Sequence, residues 1–503
     1  MKRYVILLLS AIAPFTFFAQ SGNDDLKKSF EEFRASLKSD FDTSRGKILD
    51  DYQSFRSQVM KEYVDFVRKA WSAFDSNAAE PLPDEQPVPP VTIPDEEKTA
   101  PIDDKPLDIT VVIEPKDVAP QPQPQPFVPI EPVPVKVERT VKFRFFGTPA
   151  VVRFNVADKV TLRTLDNGAI ADAIEKMAAG THDNLIVDCL ELRETLCLSD
   201  WAYIKMLEAL SKHIYGNDAN SATLFMAYLY MSSGYKMRLA MDGKRLYMLY
   251  ASLHYVYEQP YYEVDGVRYY CLENLPLRLE ICEAAFDEEA PLSLVVAREQ
   301  LLAFDAAEKH RIVSADYPDF AMEVVVNRNM LDFYATVPSS MIGENMYSRW
   351  AMYANAPTDQ RVAEELYPQL DAMLDGMSEL EAANRILNLV QTGFQYKRDD
   401  EVWDGDRVFF PDEALFYSVN DCDDRSVLFS RLMRDVLGLD AVLVFVPGHV
   451  LVGIEFKGDV KGAYVMVGGR KFVLCEPTCT NGAPVGWNNI KEGADLNVYL
   501  LDF

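Results

Sequence analysis

Basic residues are in short supply in this chain: 503 residues carry 50 Lys and Arg against 78 Asp and Glu, a net charge of −28. No long Lys/Arg run offsets that deficit, and a nucleic-acid partner needs a basic face to displace counterions from phosphates. Nucleic acid is therefore not expected as a ligand. Histidine is rarer still, with five copies, so any imidazole chemistry has few candidates. Cysteine is limited to Cys189, Cys197, Cys271, Cys282, Cys422, Cys475 and Cys479. Cys475 and Cys479 stand close together, but no second Cys or His pair lies at finger spacing, which argues against structural zinc. After the first twenty residues no apolar run approaches the length of a membrane-spanning helix. Nothing in the pattern calls for a metal or a cofactor.

What is present begins with Met1 to Gln20, MKRYVILLLSAIAPFTFFAQ. Lys2 and Arg3 precede an apolar stretch that is short for a span and interrupted by Pro14, which reads as a signal peptide over 1–20. The chain is thus expected to be exported, to a periplasm or a cell surface. An odd number of cysteines in such a compartment leaves at least one thiol outside any intramolecular disulfide.

Phe30, Phe41, Tyr52, Tyr63 and Phe74 recur every eleven residues, with Arg34, Arg45 and Arg56 each four positions after its aromatic. Eleven residues make three turns at 3.67 per turn, so the aromatics keep to one helix face. The period predicts an amphipathic helical segment over 24–75, whose stripe packs on a partner helix or on a second copy of itself. From 81 to 137 the chain is a Pro-rich acidic linker with sixteen prolines and eleven acidic residues against four basic. Proline fixes φ and lacks an amide donor, so this stretch is expected to be an extended, solvated spacer.

Globular sequence resumes at 139. Asn217 to Phe225 (NDANSATLF), Ser233-Gly234 and Val264 to Glu273 (VDGVRYYCLE) resemble, in order, Asp421 to Phe429 (DCDDRSVLF), Leu437-Gly438 and Val467 to Glu476 (VGGRKFVLCE). The offsets of 204, 204 and 203 residues suggest a duplication, with one domain over 139–285 and another over 320–503. Asp218 stands where Cys422 does, and Lys244 or Arg245 where His449 does, so the first copy lacks both nucleophile and base. Between the copies, Ala321 to Pro338 reads as a β-hairpin turning near Asn327 to Asn329.

The chemistry concentrates in the second copy. Cys422 immediately precedes apolar residues at helical spacing (Leu428, Phe429, Leu432, Met433, Val436), with Gly438 as the stop. A thiol at a helix N-terminus is favoured as thiolate by the orphan amides there. Asp421, Asp423 and Asp424 oppose this, so a cation is required nearby. His449, after Pro447-Gly448 and at the start of an apolar strand, supplies one by pairing as imidazolium with the thiolate. His182, His213, His254 and His310 have no such context and read as structural. Glu476, ending the strand Lys471 to Cys475, would fix the imidazole tautomer as the third member. Asp399, Asp400, Asp404 and Asp406 have carboxylate spacings that do not match a twelve-residue calcium loop, and read as a solvated acidic loop.

Cys422 in a DCDD context heading a helix, His449 in GHV and Glu476 in EPT, in that order and preceded by Ile386 to Asp400 (ILNLVQTGFQYKRDD), resemble the transglutaminase-like superfamily. The resemblance covers Ile386 to Pro477, about a fifth of the chain, and departs from the usual pattern in having Glu for Asp at 476. It implies an α+β papain-like core, a Cys helix packed on an antiparallel sheet that carries His and the acid, and thioester acyl transfer on peptide or glutamine amides. The oxyanion would be held partly by the Cys422 amide, with Gln395, Tyr396, Trp403 and Tyr417 as candidates for the second donor. The expected function is an exported cysteine peptidase or amidase acting on a peptide or protein substrate. Hydrolysis is expected over transglutaminase cross-linking because nothing marks an amine-acceptor site. The alternative is a non-catalytic scaffold that binds peptides or a cell-envelope component, with self-association through the N-terminal helix.

Overall fold

The computed structural model describes residues 57–83, 89–114, 123–126, 130, 132, 138–179, 182–286, 288–403, 405–491 and 493–501. The signal-peptide reading, most of the eleven-residue repeat and Asp404 lie outside these. Within the unit Met60–Phe503, two mixed helix-and-sheet regions, one upstream and one downstream, follow one another in the chain, and none of the helices among the described residues is long and apolar enough to cross a membrane.

Three strands come from before the first domain: β1 (Ser72–Asp75), β2 (Lys105–Pro106) and β3 (Val111–Ile113). The upstream domain then places helices α1 (Asp200–Tyr215) and α2 (Ala219–Ser232) ahead of β4 (Met237–Met241), β5 (Leu246–Ala251), β6 (Tyr262–Val264), β7 (Val267–Cys271) and β8 (Arg278–Ile281). Downstream, α3 (Ser348–Asn355), α4 (Glu379–Thr392) and α5 (Cys422–Leu437) precede β9 (Ala441–Val446), β10 (His449–Glu455), β11 (Ala463–Val467), β12 (Arg470–Cys475) and β13 (Asn497–Leu500). Both sheets have one topology. The upstream order is β1-β8-β4-β5-β7-β6 and the downstream order β2-β11-β12-β10-β9-β13-β3. The core strands of each are antiparallel throughout and correspond one to one in chain order. This shared order accompanies the sequence offsets noted above. The central strands β4, β5 and β9 are buried along nearly their whole length, as strands covered on both faces must be.

Register refines the alignment of the two copies. Val446 pairs with His449 across a two-residue turn, whereas Met241 pairs with Leu246 across four residues, 242–245. Lys244 and Arg245 therefore lie in a longer turn, and Leu246 takes the strand-start position that His449 holds. Arg245 instead forms an ion pair of 2.6 Å with Glu273.

Three expectations are corrected. Helix occupies 57–67 and stops there, and Phe74 lies in β1, paired with Leu279. The Trp71 indole donates to the carbonyl of Val67 at 3.0 Å, and the gain of a strand pairing overrides the helical period beyond it. The described aromatic Tyr63 stacks within the chain on Phe286, at 4.7 Å between ring centroids. Next, Ala321–Val324 pairs backwards with His310–Val313, and Arg328–Tyr334 is a helix. Asn327 is its cap, accepting from the Asn329 amide, a use of Asn that competes with the turn reading. Finally, the described parts of the Pro-rich segment are extended but not free. β2 and β3 add parallel strands to opposite edges of the downstream sheet, and Val91 and Ile93 are buried against Cys479 and Ala483. An edge strand leaves one row of its own amides unpaired, so prolines are tolerated there.

Candidate functional site

Cys422 opens α5, whose end is set by Gly438 at φ 60°, a left-handed position that glycine adopts without strain. The next two strands form a hairpin closed by Pro447-Gly448, with Gly448 at φ 71°, so His449 is the first residue of β10. β12 runs beside β10 and delivers Glu476 just beyond its last residue, Cys475. The structure brings two of the three predicted residues into direct contact. His449 Nε2 lies 2.8 Å from Glu476 Oε2. Cys422 lines the same cavity of about 800 Å³ as His449, together with Tyr347, Trp350 and Phe445. His449 Nδ1 is buried and without a hydrogen-bond partner. Cys422 is partly exposed, and none of the seven cysteines is in a disulfide.

The acid is held firmly. Glu476 Oε1 accepts from the Thr478 amide at 3.1 Å and from the Thr478 hydroxyl, which accounts for the EPT sequence. Gln391 braces the same loop, donating to the carbonyls of Glu476 at 2.9 Å and Ala483 at 3.1 Å. Burial works against an ionised Glu476, but His449 and the Thr478 bonds outweigh it and the carboxyl is lowered. Burial likewise opposes the imidazolium, but the Glu476 charge and hydrogen bond leave His449 raised. Glu476→Gln removes that support and leaves burial unopposed. The expected result is that the pH midpoint for alkylating Cys422 rises by at least about one unit, since each unit is about 1.4 kcal/mol of charge stabilisation. A profile unchanged by the substitution would remove Glu476 from the site.

The acidic residues around the thiol are not the solvated loop expected. Asp399 is buried, and burial and then the Asp423 charge push it up to about 8. Burial, followed by repulsion from Asp423, also raises Asp421 and Asp424 well above their ordinary value. A carboxyl raised in this way carries less negative charge at a given pH, which lessens the repulsion of a thiolate posed by the DCDD sequence. Asp399, Asp421 and Asp424 each place an oxygen within 4.8 Å of the others, the one such grouping among the described residues that could hold a cation. Asp400 is exposed and paired with Arg398.

Sequence reasoning missed the buried arginines. Arg349, fully buried on α3, pairs with Asp406, and its neighbour Trp350 donates to Asp423 at 2.9 Å. Arg425, one turn after Cys422, is wholly buried and donates to the carbonyls of Gln391 at 3.0 Å and Phe394 at 2.9 Å. Burial lowers it to about 10, still cationic at neutral pH. Its i,i+3 spacing from Cys422 was the available signal. Of the four oxyanion candidates, Tyr396 is within electrostatic reach of the thiol: burial, then Cys422 and Asp421, push its phenol up. Trp403 and Tyr417 pack on each other at 5.1 Å under Arg407. Gln395 is exposed on a two-residue strand.

Compared with known proteins, the chain matches no family model, no curated protein and no solved structure.

Proposed function

We propose that the downstream domain is a papain-like, transglutaminase-like cysteine hydrolase that cleaves peptide amides in an exported setting. The observation that carries this reading is the His449–Glu476 contact of 2.8 Å, with the second imidazole nitrogen buried and without a hydrogen bond and with His449 and Cys422 lining one cavity. Cys422, as thiolate, adds to the amide carbonyl carbon, and the oxyanion forms near the Cys422 amide at the helix start. The C–N bond then breaks, the imidazolium proton leaves with the amine, and a thioester remains on Cys422. Water, deprotonated by His449, attacks that thioester and releases the acid and the thiol. Glu476 keeps the imidazole oriented through both halves.

A binding role without catalysis is the second reading. It is favoured by the upstream domain, which keeps the sheet order while placing an Arg245–Glu273 ion pair and Asn220 at the corresponding helix start. The test is incubation of the full chain with an unfolded protein, followed by mass spectrometry of new termini. New termini with wild type and none with Cys422→Ala are expected. Amine incorporation without new termini would favour cross-linking. No turnover, with peptide binding equal in the two proteins, would leave the binding role.

A further inference from the structure

Two side chains one turn into α5 reach the elements that carry the other members of the site. Arg425 and Ser426 follow Cys422 by three and four residues, the spacing that makes side chains neighbours on a helix surface, and both are wholly buried. The Ser426 hydroxyl donates at 3.1 Å to the carbonyl of Val450, the residue after His449 on β10. Arg425 donates at 3.0 Å to the carbonyl of Gln391, near the end of α4, where a helix leaves its last carbonyls without internal partners. Gln391 is buried too, and its side chain passes the connection on. Its Nε2 donates to the carbonyls of Glu476 and Ala483, and its Oε1 accepts from the Ala483 amide at 3.1 Å. One hydrogen bond thus joins the Cys422 helix to the His449 strand, and a relay of two joins it to the Glu476 loop.

The upstream copy forms its helix and sheet without these contacts. At the 204-residue offset Ser221 stands for Arg425 and Ala222 for Ser426, and the Ser221 hydroxyl accepts from the Leu162 amide at 2.9 Å instead. The copy that has no nucleophile therefore also has no such bridge, which separates the bridge from the needs of the fold. We propose that Arg425, Ser426 and Gln391 are positioning residues of the reaction, a buried brace that fixes the Cys422 thiol against the His449 imidazole by tying the nucleophile's helix to the strand of one partner and the loop of the other. The inference rests on reading Cys422 as the nucleophile. Both halves of that reaction use the same imidazole, once beside the thiol and once beside the water that attacks the thioester, so one spacing must serve both. A displacement of about 1 Å can cost on the order of a hundredfold in rate. Apolar packing between a helix and a sheet is not directional, whereas a buried donor or acceptor that loses its partner is penalised, so the brace holds the spacing where packing alone would let it drift.

Neutral substitutions isolate spacing from charge. Ser426→Ala and Gln391→Met each remove hydrogen bonds and leave in place the charged and titratable groups around the thiol: Asp421, Asp423 and Asp424 on its own helix, Arg425 a turn later, Tyr396 and Asp399 ahead of it, His449 with Glu476, and Lys491 and Asp495 on the cavity wall. Iodoacetamide labelling of Cys422 in the full chain is read by mass spectrometry from about pH 5 to 9 in wild type, in both variants and in Ser430→Ala. Ser430 is the control, a buried hydroxyl of α5 that donates to the Val427 carbonyl within the same helix. Urea unfolding gives the stability of each protein. The labelling midpoint is expected to rise by about half a unit to one unit in Ser426→Ala and in Gln391→Met, a roughly threefold to tenfold loss of rate below the midpoint, and to stay at the wild-type value in Ser430→Ala whatever its stability. Ser426→Ala reports even where Gln391→Met loosens its loop, because Ala222 occupies the matching position in the upstream helix. Midpoints equal to wild type in both variants, or moved equally in the control, would overturn the proposal and leave the hydrolase reading in place. An ordinary thiol curve already in wild type would instead remove Cys422 as nucleophile, and the brace's part in the reaction with it.

Discussion

His449→Ala is expected to slow iodoacetamide alkylation of Cys422 by about 300-fold at about pH 6, because an unassisted thiol near pKa ~8.5 is only about 0.3% thiolate there. The helix terminus by itself contributes about 0.3–1 kcal/mol toward the anion, less than one unit of pKa. The imidazolium must therefore supply most of the low-pH reactivity. That imidazolium is favoured by Glu476, which outweighs burial and holds His449 raised. The window follows from the signs. A raised His449 contributes stability below its unfolded value of about 6.5 and loses it as pH climbs through the folded value. Glu476, lowered in the fold, contributes above its unfolded value of about 4.3 and loses it as pH falls through the folded value. The pair is fully charged between those limits, so labelling should persist from about pH 5 upward in wild type and follow an ordinary thiol curve in the variant. Identical curves in the two proteins would sink the ion pair and the hydrolase reading together.

The parts of this site that could be read from sequence are those fixed by local geometry. Cys422 at a helix start, Gly438 as its stop, the Pro447-Gly448 turn and the Glu-Pro-Thr strand end each depend on a few adjacent residues, and each lies where its pattern places it. The repeated order of strands in the two domains was legible for a related reason, since offsets survive where side chains do not. Long-range partners were not. Nothing near Cys422 in the chain announces Arg349 or Trp350, and Asp399 reads as a surface acid until the fold buries it against Asp421 and Asp424. The Pro-rich segment misled for a physical reason: proline composition specifies an extended backbone, but the neighbours of an extended edge are chosen by the sheet it meets. The helix ending at 67 and the Asn327 cap are likewise cases where tertiary pairing or capping overrode a local period.

Arg349→Met is expected to destabilise the downstream domain by about 3–5 kcal/mol near neutral pH, the cost of stripping a buried cation from its partners. The guanidinium is fully buried, pairs with Asp406, and lowers the carboxyls of Asp406 and Asp399 against the larger effect of burial, which still leaves both raised. Acids raised in the fold bind more protons than the unfolded chain does, so their contribution is present below the unfolded value and is lost as pH climbs through the folded one. For Asp399 that interval runs from the ordinary carboxylate value of about 3.9 to about 8, and for Asp412, buried beneath the Tyr334 hydroxyl, up to about 7. Wild-type stability should accordingly decline from about pH 5 to about pH 8, by up to about 1.4 kcal/mol per pH unit for each excess proton. Removing Arg349 takes away the charge that limits this decline. The gap between wild type and variant, measured by urea unfolding at several pH values, should therefore be small at about pH 5 and widen toward about pH 8. A gap independent of pH would mean that the acidic cluster stays ionised and that Arg349 acts through packing. In that case Asp421 and Asp424 would oppose a thiolate at Cys422 after all, leaving His449 and Arg425 to offset them.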